Sequence, residues 1–465
     1  MPERIETRHA RPLPSFARGG IIDSCTSRQR LMLRRALFWL VAAWGIPTVL
    51  ALSGCGGEQV NDPFHRPAWS RVADDSLQVT DAGEASAASS RSADHPYLTP
   101  ERPIRRLALA GPLSRRDAQI SGMTWWDDWL ILLPQYPSFA DPGQAYLYGI
   151  PRSDIEAAMS RDSPKVALEP VPIPIDTTRF QEVDGYQGVE AVAFDGDRAF
   201  FTIEATGRVA GLLGMRASVA SARMNLERVP VSDASSSAAG KTSAEAVPTL
   251  TVDHVRSLPV QSQIRNMAYE AVVTHQGSVF GFFEANGANV NPRAEVARFA
   301  SILEPGDPLS MPALEYRLTD ATGVDSEGRF WVTNYLYRGE AGILDPAADS
   351  VALAHGVGVS HRTRVVIERL VEFSFHDDRV VRTPTPPIWM HLEEGTGRNW
   401  EAIARYEDGF LIATDTFPET ILAFVSNPFG RAPRHQRAPS DPSASGRAAS
   451  GRAASGRAAS AKSQP

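Results

Sequence analysis

The sequence predicts an all-β protein, and within that class a β-propeller of five four-stranded antiparallel blades, with six blades as the alternative. The main observation is a 17-residue pattern that recurs five times and aligns without gaps. The copies are Ile120–Tyr136, Val189–Ala205, Tyr269–Ala285, Thr319–Tyr335 and Trp400–Thr416. Radial repetition of one antiparallel unit is typical of propellers.

Each copy has the composition of a β-hairpin. A short apolar run leads into Asp, Glu or Gly residues, and four nearly continuous apolar residues follow, as in Phe200–Ile203 and Phe280–Phe283. These runs are too short for helices, and the turn residues stand between them. A chain that rises along one strand and returns along the next ends at its starting level. We therefore expect the second and sixteenth residues of each copy to lie at the same end of the hairpin.

Further strands are predicted after each hairpin. Third strands are expected at Ala145–Ile150, Gly214–Val219, Val296–Ile302, Leu370–Phe375 and Ile421–Val425. Fourth strands are expected at Val166–Pro170, Thr249–Val255, Ala313–Leu318 and Val380–Thr383. The last blade lacks a fourth strand, whereas Arg105–Ala110 lacks a hairpin. Pairing the two would close the ring with an N-terminal strand and remove two open edges. A sixth blade within residues 336–399 is the alternative.

The N-terminal region predicts export and a lipid anchor. Arginines precede the apolar run Ala36–Leu52, which is the layout of a secretory signal. The run ends in Leu-Ser-Gly-Cys, which resembles the bacterial lipobox and implies lipidation, for example with palmitate, at Cys55. A single membrane anchor with a chance cysteine is the alternative. We expect a signal peptide at 1–54, a flexible tether at 55–100, the propeller at 101–430 and a disordered tail at 431–465. The start residue is Met1 or Met32.

Charge and cysteine content narrow the expected partners. The chain has a formal charge of −7, and removing residues 1–54, with eight Arg and three acidic residues, leaves −12. An acidic protein of this kind is not expected to bind nucleic acid. Cys25 leaves with the signal and Cys55 carries lipid, so no disulfide is expected. We expect a monomer at the bacterial cell envelope, on the periphery of the plasma or outer membrane.

The second residue of four copies is acidic, and we call these residues the first ring: Glu190, Glu270, Asp320 and Glu401. In the remaining copy this residue is Ser121. Carboxylates held close together raise one another's pKa unless a cation or protons neutralise them. Oxygen ligands without His or Cys favour a hard ion, so Ca²⁺ is the expected cofactor. The alternative, weighted equally, is that each acid accepts backbone N–H groups of the next blade and locks the ring.

The sixteenth residue of each copy gives a second ring: Glu204, Glu284, Asn334 and Asp415, with Gln135 in the first copy. Its acids, Glu204, Glu284 and Asp415, are candidates for proton transfer. After Glu284 comes a loop with Asn289, Asn291 and Arg293, and these residues with Asn334 are candidates to bind a small molecule or glycan. Clusters of Asn, Gly and Pro also form turns without any ligand.

Three copies carry a family resemblance. GVEAVAFDGDRAFFTIEA and MAYEAVVTHQGSVFGFFEA resemble the phytase-like ("esterase-like activity of phytase") propellers, and TDATGVDSEGRFWVTNY resembles the senescence-marker-protein/gluconolactonase propellers. In the latter, acids at the places of Asp320 and Glu190 bind a central divalent cation. The resemblance implies hydrolysis of phosphoesters, esters or lactones. The chain departs from these families where Ala follows Glu190, Glu270 and Glu401 and where Ser121 interrupts the ring.

Two functions from different classes follow. The first is a cation-dependent hydrolase in which the first ring holds the ion and the second ring moves a proton. The second is a non-catalytic propeller that binds a protein partner or an envelope glycan on its rim. Trp125, Trp126 and Trp129 crowd one hairpin turn and could form a docking patch, although burial between blades is the usual place for such residues.

Overall fold

The computed structural model describes residues 97–160, 167–209, 212–228, 246–264, 266–362, 366–393 and 397–430. The predicted signal peptide, most of the tether and the tail lie outside these residues. The described chain begins with three short strands, β1 (Leu98–Thr99), β2 (Glu101–Arg102) and β3 (Ile104–Leu107). The end of the predicted tether is therefore paired, because β1 lies parallel to a later strand, Val357–Gly358.

Twenty-one further strands follow in five groups, each of which begins with one of the repeat hairpins. The first group is β4 (Ile120–Trp126), β5 (Trp129–Pro134), β6 (Tyr146–Pro151) and β7 (Val171–Asp176). The second is β8 (Tyr186–Asp195), β9 (Arg198–Val209), β10 (Leu212–Arg228) and β11 (Ala246–Ser257). The third is β12 (Tyr269–His275), β13 (Ser278–Phe283), β14 (Glu295–Ala300) and β15 (Leu309–Ser310).

The fourth group contains β16 (Arg317–Ala321), β17 (Arg329–Leu336), β18 (Val357–Gly358), β19 (Ile367–His376), β20 (Arg379–Arg382) and β21 (Ile388–Met390). The fifth is β22 (Trp400–Tyr406), β23 (Gly409–Thr414) and β24 (Leu422–Ser426). The described helices are short: α1 (Arg152–Met159), α2 (Thr178–Gln181), α3 (Ala341–Leu344), α4 (Ser350–His355) and 3₁₀ turns at Gly111–Ser114, Arg116–Ala118 and Val359–His361. None of these helices is long enough to span a membrane.

The all-β propeller class and its closure by an N-terminal strand are confirmed. The first strands of the five groups contact one another in chain order, and β22 contacts β4. The N-terminal strand β3 pairs antiparallel with β24, from Leu422 opposite Leu107 to Val425 opposite Ile104. The strand supplies the fourth member of the last group and removes both open edges. We interpret the groups as blades 1 to 5, except that β18 pairs with β1 in a separate two-stranded sheet.

The buried side chains of the described residues form five apolar clusters, and each lies mainly at a seam between neighbouring blades. The second strand of four hairpins is almost wholly buried, and that of the second hairpin, β9, is buried from Ala199 to Ala205, as predicted from its continuous apolar run. Burying one phenylalanine such as Phe282 contributes roughly 1.5–3 kcal/mol. The seams therefore hold the ring together and fix the inner strands around its centre.

Hairpin turns and third strands follow the sequence prediction. Gln276 and Gly277, between β12 and β13, both have positive φ angles of 49° and 71°, which a two-residue hairpin turn requires. All five third strands are present, as β6, β10, β14, β19 and β24. These elements carry either turn chemistry or a long apolar run, which makes them visible in the sequence.

Two predicted fourth strands are wrong. The fourth strand of blade 1 is β7, which begins after the predicted Val166–Pro170. The fourth strand of blade 3 is β15 rather than Ala313–Leu318, whose end belongs to β16. Tyr316 has a positive φ of 76°, which interrupts an extended run at that point. Outer strands also pair between blades, because β7 lies parallel to β11 and β15 parallel to β20.

Candidate functional site

A β-bulge at the second residue of every repeat positions the first ring. In each hairpin the register shifts there, so that one extra residue stands on the inner strand. The extra residues are Ser121, Glu190, Glu270, Asp320 and Glu401. Bulges of this kind re-aim a side chain and are frequent beside functional sites. Residues one and fifteen pair in blade 3, Tyr269 with Phe283, so the second and sixteenth residues lie at the same end, as predicted.

Three acids of the first ring converge. Glu190, Glu270 and Glu401 are 2%, 4% and 6% exposed. Burial raises the pKa of Glu270 well above its usual value, and the charges of Glu284, Glu190 and Glu401 raise it further. Burial likewise raises the pKa of Glu401, with contributions from Asp415 and Glu190. Carboxyl groups on blades 2, 3 and 5 therefore share one electrostatic environment.

The second ring joins the same environment in blades 2, 3 and 5. Burial raises the pKa of Glu284 to about 7, with Glu340 and Glu204 adding to the increase and Arg317 opposing it. Blade 1 contributes an amide, Gln135, instead of an acid. Its Nε2 donates to Glu190 Oε1 at 2.8 Å. We call the seven carboxyl groups the acidic cluster: Glu190, Glu204, Glu270, Glu284, Glu340, Glu401 and Asp415.

Arg317 places a positive charge in the acidic cluster. Its Nε donates to Glu284 Oε1, while Nη1 and Nη2 lie 3.4 Å from Glu340 Oε1 and 3.5 Å from Glu401 Oε1. Its guanidinium lies 4.9 Å from the ring centre of Tyr335, whose hydroxyl donates to Glu401 Oε1 at 2.8 Å. The pKa of Arg317 is raised because these carboxylates outweigh its burial. One cation therefore contacts three of the seven acids.

Asp320 differs from the other first-ring acids. Its Oδ2 accepts the backbone N–H of Ile403 at 2.8 Å and that of Met123 at 3.4 Å, and its Oδ1 accepts the N–H of Ala321 at 2.8 Å. These donors belong to blades 5, 1 and 4. Burial raises the pKa of Asp320 well above its usual value, while the three N–H donors act in the opposite direction. This is the geometry expected of an acid that locks the ring.

The predicted ligand-binding residues divide between structural contacts and the surface. Asn334 is buried; its amide donates to the carbonyls of Glu315 and Arg317 and accepts from Arg369. Asn291 is buried and donates to Gln261 and Asn286. Asn289 is exposed and donates to a carbonyl of the loop that follows α3, and Arg293 is exposed. Two of the four residues are therefore buried with hydrogen-bond partners, and two are exposed.

Sequence reasoning missed Arg317 as a member of the site. It lies two residues before the fourth repeat begins, and Arg398 holds the same place in the fifth. Arg398, however, pairs with Glu368 at 2.7 Å between blades 4 and 5. The detectable signal is a basic residue at the start of an inner strand, but the pattern does not tell which carboxylate it meets. The partly buried Trp125, Trp126 and Trp129 pack against neighbours, Trp125 stacking on Tyr406 of blade 5.

The acidic cluster offers only oxygen atoms, the type of ligand that a hard cation prefers. Glu270 Oε2 and Glu284 Oε2 are buried and accept no hydrogen bond from the described residues. Oxygen atoms of this kind are what Ca²⁺ coordinates. With the side chains as they stand, no group of three or more His, Cys, Asp or Glu in the described part of the chain is spaced to hold a metal ion.

Comparisons with known proteins give structural similarity without a family. No family model and no curated protein matches the chain. A putative glycoside hydrolase from Parabacteroides distasonis is 10% identical, with a TM-score of 0.35 over 70% of this chain and 93% of that one. A glycosyl hydrolase from Bacteroides ovatus is 10% identical, with 0.37 over 72% and 95%. An exo-1,5-α-L-arabinanase from a bovine ruminal metagenomic library is 8% identical, with 0.33 over 68% and 94%.

TM-scores this low carry no argument about activity. The resemblance to phytase-like and gluconolactonase-like propellers stays an interpretation of the repeat sequences.

Proposed function

We propose that the acidic cluster binds a hard divalent cation, with Ca²⁺ as the expected ion, and that the propeller is a cation-dependent hydrolase. The observation that carries the proposal is the carboxyl group of Glu270. It is buried among other acids, and its Oε2 has no hydrogen-bond donor among the described residues. A buried carboxylate without a partner is costly, so the site favours either a proton or a cation there.

The ligands assigned to the cation are Glu190, Glu270 and Glu401. Asp320, expected from the sequence as a fourth ligand, is assigned to the ring lock instead because backbone N–H groups occupy its oxygens. A bound divalent cation supplies Lewis-acid polarisation of a scissile oxygen and a more acidic bound water.

Proton transfer is assigned to Glu284, with Glu204 and Asp415 as the other candidates. Its pKa of about 7 suits a group that both takes and gives a proton near neutral pH. Arg317 Nε donates a hydrogen bond to Glu284 Oε1 and so fixes the orientation of the Glu284 carboxyl group. Asp415, half-buried where Glu284 is fully buried, lies nearer solvent.

The substrate classes to test are phosphoesters, esters and lactones, as the repeat resemblance implies, and glycosides. Glycoside hydrolysis commonly needs one protonated and one ionised carboxyl group. The acidic cluster contains several carboxyl groups in different environments, which can hold one of them protonated while another is ionised. The corresponding experiment screens p-nitrophenyl phosphate, p-nitrophenyl acetate, a γ-lactone and p-nitrophenyl glycosides with Ca²⁺ and with a chelator. Turnover that Ca²⁺ supports and the chelator removes is the expected result.

The near-complete burial of the cluster favours a second candidate, a non-catalytic propeller in which the ion stabilises the ring. Glu190, Glu270 and Glu401 leave at most 6% of their surface to solvent, which is little for a substrate to contact. Calcium-dependent stability without turnover of any substrate class would support this candidate, with a protein or glycan bound on the rim. No response to Ca²⁺ or chelator, and no turnover, would exclude both.

Glu270→Gln is expected to raise the free energy of unfolding by about 1–3 kcal/mol at pH 8 without Ca²⁺ and to change it little at pH 5. The folded protein raises the pKa of this group, so it retains a proton that the unfolded chain loses. Stability therefore falls as pH rises from the unfolded pKa towards the folded one. Glutamine keeps the shape without that cost. Urea unfolding at both pH values measures the effect.

The same variant tests the cation site. In the unaltered protein, Ca²⁺ at 100 times its dissociation constant adds about 2.7 kcal/mol to the free energy of unfolding. Glu270→Gln is expected to lose most of that gain, whereas Glu304→Gln, at an exposed glutamate of blade 3, retains it. A Glu270→Gln protein that still responds fully to Ca²⁺, whatever its stability at pH 8, contradicts the assignment.

We also propose that Cys55 carries the lipid that holds the protein to the bacterial cell envelope. In cells fed labelled palmitate, the protein is expected to incorporate label and fractionate with membranes. Cys55→Ala is expected to lose the label and move to the soluble fraction, and Cys25→Ala to behave as the unaltered chain. Labelled Cys55→Ala protein would overturn the assignment.

A further inference from the structure

A groove of about 590 Å³ lies at the outer wall of the propeller, where β15 of blade 3 runs beside β20 of blade 4. We call it the outer groove. Its lining comes from Ser310–Ala313, Ser350 at the start of α4, and Arg379–Arg382. These are outer-strand and helix residues, whereas the acidic cluster is built from inner strands. Volumes of this size hold small organic ligands.

The outer groove has an apolar floor and a basic rim. Pro312 and Ala313, both exposed, form its apolar floor, whereas the lining residues Met311 and Val380 are almost wholly buried. Arg379 is exposed and Arg382 half-buried, and Arg382 Nη1 donates to Ser350 Oγ at 2.9 Å. The Arg382 guanidinium and the Ser350 hydroxyl therefore lie together at one edge of the groove, and Arg379 also belongs to its lining.

These two arginines have no acidic partner among the described residues. Neither forms an ion pair there, although Asp377 and Asp378 precede Arg379 in the chain. The nearby Asp349 is already used, because both its oxygens accept from Arg369, at 2.6 and 3.1 Å. Burial lowers the pKa of Arg382, and the charge of Arg369 lowers it further against the opposing effect of Asp349. An anion in the groove would offset this unbalanced positive charge.

We propose that the outer groove binds an organic phosphate, with its phosphate on Arg379, Arg382 and Ser350 and its organic part on Pro312 and Ala313. Guanidinium groups match phosphate oxygens with paired hydrogen bonds, and a phosphate has enough acceptors for two arginines and a hydroxyl. A phosphate alone would leave the apolar floor uncovered. The phosphate comes from a soluble metabolite or from a lipid headgroup, which share this chemistry.

The test uses phenylphosphonate, which a phosphoester hydrolase cannot cleave, in the presence of a chelator so that no cation bridges it. Calorimetric titration of the full chain is expected to give saturable binding at a dissociation constant on the order of 1 mM or below. Arg379→Gln, Arg382→Gln and Ser350→Ala are each expected to weaken it at least about fivefold, as loss of a charge-assisted contact would. Arg256→Gln, at an exposed arginine of β11, is expected to leave it unchanged.

A second arm identifies the source of the phosphate. The unlipidated Cys55→Ala chain is mixed with phosphatidylglycerol or phosphatidylcholine vesicles. Binding to phosphatidylglycerol that Arg382→Gln reduces at least about fivefold supports a headgroup, and phenylphosphonate binding without vesicle binding supports a soluble ligand. Absence of saturable phenylphosphonate and vesicle binding overturns the proposal. Binding that all four variants retain equally overturns it as well, because the groove arginines would then contribute nothing.

Discussion

Replacing Asp320 by alanine is expected to lower the free energy of unfolding by about 3–5 kcal/mol. The carboxyl group accepts backbone N–H groups of Ile403, Met123 and Ala321, which lie on three blades. Alanine leaves these buried donors without an acceptor, and each unsatisfied group costs about 1–3 kcal/mol. Urea unfolding followed by tryptophan fluorescence measures the loss. Asp197→Ala, in an exposed hairpin turn of blade 2, is the control and is expected to stay within about 0.5 kcal/mol.

The Asp320→Asn variant distinguishes between two roles of Asp320, as the acid that locks the ring and as a cation ligand. Asp320→Asn keeps one acceptor oxygen but turns an N–H₂ group towards a donor, so we expect a smaller loss than for alanine. If the lock is its role, the calcium-dependent gain in stability persists in this variant. A small loss of stability together with a complete loss of the calcium response would make Asp320 a cation ligand and contradict the lock.

Most of the fold could be predicted from the repeat pattern, because the residues that determine each hairpin lie within the hairpin itself. The turn residues, the buried second strand and the position of the bulge all recur within 17 residues, so they can be compared between copies. The closing strand β3 could be predicted for a different reason. An antiparallel ring with a missing edge needs a partner strand, and Arg105–Ala110 was the segment left without a hairpin. The strand that pairs there is Ile104–Leu107.

The outer strands of the ring could not be predicted reliably, because they are short and have little sequence pattern. The fourth strand of blade 3, β15, has only two residues, which is too few to show an alternating apolar pattern. Its parallel pairing with β20 joins residues 310 and 379, which only the assembled ring brings together. The outer groove is a product of that pairing and leaves no motif in the chain.

The candidate site was half predicted, and the division has a physical cause. The bulge re-aims the second residue in every copy, which the alignment of copies could reveal. What each acid then meets depends on neighbouring blades. Asp320 lies 83 residues from Ile403, and the pattern that places it in the first ring says nothing about that N–H group. Of the two alternatives for a repeated acid, the lock describes Asp320, and the cation hypothesis is now confined to the other three.

Arg317→Met is expected to lower the free energy of unfolding by about 3–5 kcal/mol at pH 8, because it leaves buried carboxylates without their counter-charge. The loss should be much smaller at pH 5. Arg317 lowers the pKa of Glu284, so its removal raises that pKa further above 7. The acid then carries a proton at pH 5 and needs no cation. Urea unfolding at the two pH values gives the comparison.

A double-mutant cycle with Glu284→Gln isolates this pair. Arg317→Met and Glu284→Gln together are expected to be more stable at pH 8 than Arg317→Met alone, since the charge left uncompensated has been removed. Arg317→Lys retains the charge but not the three-way contact, and we expect an intermediate stability. Equal loss at pH 5 and pH 8, with no rescue in the double variant, would mean that Arg317 acts through packing alone.

The calcium response of Arg317→Met connects this ion pair to the proposed function. Arg317 and a bound cation neutralise the same acids, so the two compete for the same negative charge. Removing the arginine is therefore expected to increase the stabilisation by Ca²⁺ at pH 8, while Glu270→Gln decreases it. Opposite changes in the calcium response of variants at two neighbouring residues cannot come from a general loss of stability. If both variants weaken the response, Glu270 remains a ligand, but the cation does not compete with Arg317 for the charge of the same acids.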